Sequence, residues 1–270
     1  MNPPRPGDAT APSRHPEISS SIPTSHPSPT ARPSSVVASG EERRFPPREA
    51  PSYPLLAALS AWLEREARAA ADIHGGYHLL DVGCGDKPYQ PFFARYASTY
   101  VGLDPENPAA ELRGTAEEIP VADGSFEVVL CTQVLEHVND PACAVRELRR
   151  VTAPGGRVLV STHGVVPFHP SPEDHWRWTH AGLERLFRDN GDWEHITVTP
   201  ACGATATLGM LFSWYVDLLA KDLSVRPLAG RLIRVIHAAC AAIDRRSSRL
   251  REPVPGSLHA NFHLEADVRA

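Results

Sequence analysis

The chain has 270 residues, 42% of them hydrophobic and 22% charged, so it is long enough to bury at least one globular core. A formal net charge of −5 disfavours a protein whose whole surface binds nucleic acid, because that affinity depends on lysine and arginine neutralising phosphates; we expect no DNA partner. Five cysteines without a CxxC pair fit neither a disulfide framework nor a zinc site, and no signal-peptide pattern is visible. These features predict a cytoplasmic protein.

Proline and serine dominate the first part of the sequence. Thirteen of the 27 prolines fall between Pro3 and Pro54. Few large apolar side chains are present there to offset the entropy lost on ordering, so the composition predicts a disordered tail over residues 1–52. The folded domain is then expected to cover residues 53–270.

Beyond the tail, helical and strand-like segments alternate. The spacing of Leu55, Leu59, Trp62 and Leu63 predicts an amphipathic helix over 53–72. Short apolar runs then alternate with helical stretches, which is the pattern of a doubly wound parallel sheet. The predicted strands are 77–82, 99–103, 126–131, 157–162, 193–199 and 258–268. The predicted helices between them are 89–96, 141–151 and a helix capped by Thr179 that stops at Asn190 and Gly191.

A helical insertion is predicted over residues 204–257, before the last strand. Its two helices, at about 205–223 and 227–249, each carry an apolar stripe. The uncharged run 196–216 is long enough to suggest a membrane span, but Pro200, Gly203 and Gly209 interrupt it. Residues 221–251 hold eight basic and two acidic side chains. This segment either contacts an anionic membrane surface, making the protein peripheral to the membrane, or is a solvated face that pairs with the acidic residues of 79–200.

The strongest motif is LLDVGCGD at residues 79–86. A buried strand runs into Asp81, after which Gly83 and Gly85 allow a tight turn and close approach of a ligand. Asp104 ends the next strand about twenty residues later, where an acid can accept both hydroxyls of a ribose. Pro88 replaces the third glycine of the dinucleotide fingerprint, so the pattern predicts a nucleoside ligand.

Four further motifs follow in order along the chain. They are GTAEEIP at 114–120, DGSFEVV at 123–129, QVLEHV at 133–138, and ELRRV with PGG over 147–156. With them, residues 77–199 resemble the class I S-adenosylmethionine-dependent methyltransferases, in the broad type 11 methyltransferase-domain group. The resemblance implies an α/β fold with a doubly wound, mostly parallel, seven-stranded Rossmann-like sheet. It also implies S-adenosyl-L-methionine as cofactor and a methyl-transferring enzyme.

The resemblance also assigns cofactor residues by position. It implies that the glycine-rich turn lines the methionine end of the cofactor and that Asp104 binds its ribose. The acid that the family places against adenine is replaced here by Thr115, so either the Thr115 hydroxyl or the Glu117 carboxylate would take that role. The full predicted cofactor set is Asp81, Gly83, Cys84, Gly85, Asp104, Thr115, Ala116, Glu117, Thr132 and Gln133.

Methyl transfer to a hydroxyl also needs a group that accepts its proton, and histidine suits this work at neutral pH. The main candidates are His137 and His163. The other candidates are His169, His175 and His180. Each of them could instead be structural, with His137 capping its helix. Trp176 and Trp178 could stack on the acceptor or anchor their loop to the core.

A metal site is conceivable in the same region. Some members of the family hold a divalent ion with an ExxEH motif, whose first position here is Gln133, followed by Glu136 and His137. A neutral amide is a poorer ligand for a hard cation than a carboxylate, so we expect no metal.

These observations predict a methyltransferase that acts on a small-molecule acceptor, through O-methylation of a sugar, a lipid-linked compound or a secondary metabolite. Two alternatives stay open. One is a non-catalytic cofactor-binding protein that docks a membrane or a partner through its basic helices. The other is an RNA methyltransferase that uses residues 221–251 as a basic arm.

Overall fold

The computed structural model describes residues 40–169, 173–223 and 225–270. Its centre is a six-stranded sheet in the order β2-β1-β3-β4-β6-β5. The strands are β1 Tyr77–Val82, β2 Ala97–Leu103, β3 Phe126–Thr132, β4 Thr152–His163, β5 His195–Pro200 and β6 Asn261–Asp267. The first four are parallel, whereas β6 pairs antiparallel with β4 and β5. The predicted doubly wound, mostly parallel α/β class is confirmed.

The strand count of seven is wrong for the described residues. Between β2 and β3 the chain forms only two isolated bridges, Leu103–Leu112 and Thr115–Glu118. Pro105, Pro108 and Pro120 interrupt this connection, and proline cannot donate to a strand ladder. β2 is therefore the edge strand of the sheet on this side.

Helices cover both faces of the sheet. They are α1 Gly40–Arg44, α2 Tyr53–His74, α3 Gln90–Phe93, α4 Pro141–Val151, α5 His180–Asn190, α6 Ala204–Asp222 and α7 Arg226–Arg246. Leu79 and Val128 belong to a core with α2 and α3, whereas their neighbours Leu80 and Val129 belong to a second core with α4 and α5. This alternation follows from the two-residue period of a strand.

Local capping explains where two of the helices begin. The Asp140 carboxylate accepts a hydrogen bond from the backbone of Cys143 at the start of α4, and the Thr179 hydroxyl accepts one from Gly182 at the start of α5. The predicted Thr179 cap is confirmed. The helix expected over 89–96 is shortened to α3, and the last strand begins at Asn261 rather than at residue 258.

The structure corrects the predicted disordered tail for residues 40–52, while residues 1–39 lie outside the described residues. Ser60 donates a hydrogen bond to the Arg44 carbonyl over 2.7 Å, and the Arg44 guanidinium donates to the carbonyl of Pro88. His237 of α7 lies 3.3 Å from the Arg48 carbonyl. Hydrogen bonds of backbone carbonyls and a guanidinium hold these residues. A count of large apolar side chains does not detect such contacts.

The predicted helical insertion is a hairpin of α6 and α7. Thr205 and Gly209 near the start of α6 contact Asp244 and Cys240 near the end of α7, so the two helices run antiparallel. A Cβ at Gly209 would lie 2.7 Å from the Cys240 sulfur, which explains why the helices need a glycine at this crossing. No helix in the described part of the chain combines the length and the hydropathy that crossing a bilayer requires.

Candidate functional site

The carboxyl ends of β1, β2, β3 and β4 meet at one edge of the sheet. Val82 of β1 pairs with Leu103 on one side and with Cys131 on the other. The chain passes from β1 to β2 in one direction and then returns past β1 to β3, so the order of strands reverses between β1 and β3. Ligands of open α/β sheets bind in the crevice at such a point. The structure places the predicted glycine-rich turn and Asp104 there.

The two glycines of the turn after β1 have different tasks. Both adopt left-handed backbone angles, with φ of +69° at Gly83 and +48° at Gly85. A Cβ at Gly83 would lie 2.4 Å from a methyl group of Val134, whereas nothing lies within 4 Å of one at Gly85. Gly83 is thus required for packing, and Gly85 leaves open space that a ligand can occupy.

Cys84 turns its side chain away from this space. It is 3% exposed, and its sulfur packs against the backbone of Gly102. The side chain of Cys84 therefore fills the gap between β1 and β2, and only its backbone atoms are available to the predicted cofactor.

Asp104 is the anchor of the loop after β2. Its Oδ1 accepts hydrogen bonds from the backbone of Glu106 and Asn107 over 2.9 and 2.8 Å, and its Oδ2 accepts one from Gly85 over 3.0 Å. A carboxylate oxygen can accept about two hydrogen bonds, so Oδ2 keeps one acceptor position. The arrangement fits a nucleoside bound beside Gly85, with room at Asp104 for one ribose hydroxyl rather than the predicted two.

Asp81 is buried at the end of β1, with 4% of its surface exposed. The Tyr100 hydroxyl donates a hydrogen bond of 2.5 Å to its Oδ2. Burial raises the pKa of Asp81 to about 7, while the Tyr100 hydrogen bond and the charge of Lys87 oppose that rise. The pKa of Asp81 thus lies close to neutral pH, and a cationic ligand group nearby would favour its charged form. Sequence reasoning missed Tyr100, which β2 delivers from the neighbouring strand.

The three residues predicted to lie near adenine have different surroundings. Thr115 is exposed, and Ala116 is buried in the core beside α4. Glu117 accepts a hydrogen bond from the Asp140 backbone over 2.7 Å, at the start of α4. The Glu117 carboxylate thus supports α4, so Thr115 is the better placed of the two candidates for adenine.

Thr132 ends β3, and Gln133 follows it with a φ of +57°. That conformation is unfavourable for a residue with a side chain. Two hydrogen bonds of 2.8 Å hold it, from the Gln133 backbone to the Ser161 carbonyl and from its amide to the Ser161 hydroxyl. The Gln133 side chain therefore faces β4 rather than the space beside Gly85.

A cluster of polar side chains lies at the carboxyl end of β4, one strand further along the same edge. His163 Nε2 lies 2.9 Å from His169 Nε2 and 3.4 Å from Oε1 of Glu136. His163 Nδ1 faces the Asn261 amide at 3.3 Å. The rings of His137 and His169 are 5.1 Å apart. The structure thus brings His137, His163 and His169 together and adds Glu136, which sequence reasoning considered only as a metal ligand.

Burial controls the charges in this cluster. Glu136 is fully buried, and the loss of hydration raises its pKa to about 7 even though the Thr162 hydroxyl donates to its Oε2. Burial lowers the pKa of His163 to about 3, with help from His169, and it also lowers the pKa of His137. His163 is therefore neutral at pH 7, and Glu136 is the group in the cluster whose pKa suits a base at that pH.

Three buried polar atoms on residues that contact His163 have no hydrogen-bond partner among the described residues. They are Oε1 of Glu136, Nε1 of Trp178 and Oδ1 of Asn261. The Trp178 backbone donates to the His163 carbonyl, and Glu136 and Asn261 contact the His163 ring. Each unpaired buried group costs about 1–3 kcal/mol, so such a concentration marks a place where a polar ligand or water is expected.

The remaining candidates lie outside this cluster. His175 is exposed beside Glu173, and His180 Nε2 lies 3.0 Å from the Val198 carbonyl. Trp176 and Trp178 stack on each other, with ring centroids 5.8 Å apart. Trp176 Nε1 also donates to the Val138 carbonyl over 2.8 Å. The two indoles therefore anchor their loop, and the 38% of Trp176 that is exposed remains open to a ligand.

The side chains of the metal motif considered from sequence, Gln133, Glu136 and His137, do not point to one common site. Gln133 bonds to Ser161 and Glu136 to Thr162, and consecutive residues of a strand face opposite sides of the sheet. A different group in the described part of the chain has the spacing for an ion, namely His137, His169 and Asp174, whose ligand atoms lie within 4.8 Å of one another. Arg177 makes two hydrogen bonds of 2.5 Å to Asp174, and this positive charge opposes a cation there.

The chain is similar in sequence to known methyltransferases. Residues 80–160 match the family model described as a methyltransferase domain. An uncharacterised methyltransferase of Mycobacterium sp. (strain JLS) is 36% identical over 131 residues, which are 43% of this chain and 52% of the relative. A ubiquinone biosynthesis O-methyltransferase of Pseudomonas paraeruginosa is 34% identical over 37% of this chain and 48% of the relative. The chain thus spans about half the length of these curated relatives.

Among solved structures, an S-adenosylmethionine-dependent methyltransferase from Mesorhizobium loti is similar over 78% of this chain and 98% of its own. The TM-score is 0.44, with 16% sequence identity.

Proposed function

Because the chain carries a class I S-adenosylmethionine-dependent methyltransferase domain, we propose that it methylates a hydroxyl group of a small-molecule acceptor bound beside His163. The observation that carries this proposal is the set of unpaired buried polar atoms on residues that contact His163, at the same sheet edge as the open space beside Gly85. β3 alone separates β1 from β4, so the two places are two strand spacings, or about 10 Å, apart.

Residues at the ends of two neighbouring strands would bind different parts of the cofactor. Asp104 would hold a ribose hydroxyl through Oδ2, and Asp81 would face the methionine end. When bound, S-adenosyl-L-methionine supplies a methyl group on a positively charged sulfur, which is reactive toward an oxygen nucleophile. The task left to the protein is to orient the acceptor in line, exclude water and take up the hydroxyl proton.

Glu136, His163 and His169 form a path for that proton. His169 is partly exposed and contacts His163 at 2.9 Å, which in turn lies 3.4 Å from Glu136. As the acceptor oxygen forms its bond to carbon, its proton passes to Nδ1 of His169, whose Nε2 proton moves to Nε2 of His163 and from there to Oε1 of Glu136, the final acceptor. Glu136 suits this end point because its pKa is near 7, whereas His163 holds a proton weakly and serves to relay it.

The acceptor we favour is a sugar, a lipid-linked compound or a secondary metabolite with a free hydroxyl. Oδ1 of Asn261 would accept a hydrogen bond from one of its hydroxyls, and Nε1 of Trp178 would donate one to another of its oxygens. The exposed part of Trp176 offers a flat apolar surface to a ring. The O-methyltransferase named among the relatives acts in ubiquinone biosynthesis, which supports oxygen as the methylated atom. Contact with a membrane through residues 221–251 would suit a lipid-linked acceptor.

The test measures transfer of a radiolabelled methyl group from S-adenosylmethionine into bacterial extract, with organic–aqueous partition and nuclease treatment of the product. We expect nuclease-resistant label with the wild-type protein and loss of at least 100-fold of the rate with Glu136→Gln, while cofactor affinity stays within twofold. Glu66→Gln is the matched control, because Glu66 is another buried glutamate whose pKa burial raises.

Three results would each contradict a different part. Cofactor binding without any product would favour the non-catalytic alternative. Nuclease-sensitive label would favour an RNA acceptor, and unchanged transfer by Glu136→Gln would remove Glu136 as the proton acceptor.

A further inference from the structure

The α6–α7 hairpin exposes an unusual amount of apolar surface. Eleven of the seventeen exposed large hydrophobic side chains of the described residues lie between residues 208 and 243. They are Leu208, Phe212, Tyr215, Leu218, Leu219, Leu223, Val225, Leu228, Leu232, Val235 and Ile243, and we call them the apolar face. Single exposed hydrophobic residues need no explanation, but a contiguous set of this size marks an interaction surface.

On α6 the apolar face lies opposite the side that packs on the body. Leu208, Phe212 and Tyr215 follow one another at intervals of four and three residues, which places them on one helix side. The buried residues Met210 and Ser213 are offset by two positions, about 200° around the helix. The outward stripe is therefore not the edge of the protein core.

α7 continues this surface. Leu228, Leu232 and Val235 repeat the same spacing, while Ile233 and His237 are buried on the other side. The helices meet along a line next to both stripes, where Gly209 of α6 lies against α7. The two stripes therefore form one face.

Arginines accompany the apolar face and have no acidic partners in the part of the chain that the structure describes. Seven of them, Arg226, Arg231, Arg234, Arg245, Arg246, Arg249 and Arg251, are exposed. None forms an ion pair within residues 40–169, 173–223 and 225–270, whereas Lys221 is paired with Asp217. These arginines are thus solvated, as one alternative predicts, but the pairing with the acidic residues of 79–200 that it also predicts is wrong for them. Asp244, one of the two acids nearby, is buried and bonded to Thr205.

We propose that the apolar face and its unpaired arginines dock the protein on the surface of an anionic lipid bilayer. Such a surface satisfies both features at once, since acyl chains cover the apolar side chains and anionic headgroups pair with the arginines. A second copy of the chain would bring two sets of unpaired arginines together across the interface. RNA would pair with the arginines and leave the apolar face in water.

The hairpin also lies close to the candidate acceptor site. It connects the end of β5 to the start of β6, and Asn261 at that start pairs with His163 in the sheet. Docking would therefore bring a membrane surface to the edge that carries the polar cluster. This consequence for the acceptor rests on the proposed function, whereas the docking itself does not.

The test is flotation of the full-length protein with vesicles of phosphatidylcholine alone or with 30% phosphatidylglycerol. We expect binding to the anionic vesicles, weakened by salt, and at least tenfold less binding to the neutral ones. Arg231→Gln with Arg234→Gln should reduce the partition coefficient about 25-fold at low salt. Phe212→Ser with Leu219→Ser should reduce it at least tenfold, and thermal melting will show that the exposed substitutions leave the fold intact.

Matched controls test whether location matters. Arg185→Gln with Arg188→Gln removes two exposed arginines that are paired on α5, and Ile73→Ser removes an exposed apolar side chain on α2. Both should bind vesicles like the wild type. The proposal is overturned if anionic vesicles do not bind, if the control and hairpin variants lose equal affinity, or if sedimentation shows a dimer that Phe212→Ser dissociates while vesicles have no effect. Flotation does not measure turnover, so its failure leaves the proposed methyl transfer untouched.

Discussion

Substitution of Gly85 by alanine separates cofactor binding from folding. Gly85 has a φ of +48°, and an alanine there costs about 1–2 kcal/mol of backbone strain. No atom lies within 4 Å of the added Cβ, so there is no steric cost within the protein, and the free energy of unfolding should fall by about 1 kcal/mol. The methyl group would instead project into the space assigned to the cofactor. We expect the Kd for S-adenosylmethionine to rise at least tenfold, about 1.4 kcal/mol, by isothermal titration calorimetry.

Gly256→Ala provides the control for this variant. Gly256 has a φ of +87° and equally open surroundings, but it lies in the loop before β6. It should lose about the same stability in urea unfolding and keep its cofactor affinity. A folded Gly85→Ala protein that binds S-adenosylmethionine as tightly as the Gly256→Ala protein would refute the placement of the cofactor beside Gly85.

Two further variants probe charge in the sheet. Tyr100→Phe removes the hydrogen bond that opposes the effect of burial on Asp81, so the pKa of Asp81 should rise above about 7. Cofactor affinity, measured by titration at each pH, should then fall at pH 7 and recover toward pH 9. A ratio of mutant to wild-type affinity that stays constant over these pH values would contradict this. Arg157→Ala removes a half-buried cation that contacts the buried Glu66, so the free energy of unfolding in urea should fall by about 2 kcal/mol. Arg185→Ala removes a cation from an exposed ion pair and should cost only about 0.3 kcal/mol. Equal losses would contradict a larger contribution from the half-buried contact.

Most of the fold could be predicted from the sequence because its signals are local. The apolar runs that form β1 and β3, the capping residue Thr179 and the spacing in α2 each fix an element through its immediate neighbours. The seventh strand was expected from family resemblance rather than from such a signal, and the segment between β2 and β3 forms only two isolated bridges. The contacts of residues 40–52 were missed because they use backbone carbonyls, which every sequence carries.

The candidate site could be predicted only where one motif contains it. Gly83, Gly85 and Asp104 follow directly from strand ends, whereas the cluster around His163 draws Glu136 from β3's end and Asn261 from a strand 98 residues beyond His163. What distinguishes Glu136 is burial, and burial depends on packing between distant segments rather than on residue type. The same distinction explains the hairpin: the sequence carries its arginines and its apolar stripes, but only the fold leaves both of them exposed and without partners among the described residues. A titratable group that packing has made neutral, or a charge that packing has left unpaired, is therefore better evidence for a site than the same residue in the sequence.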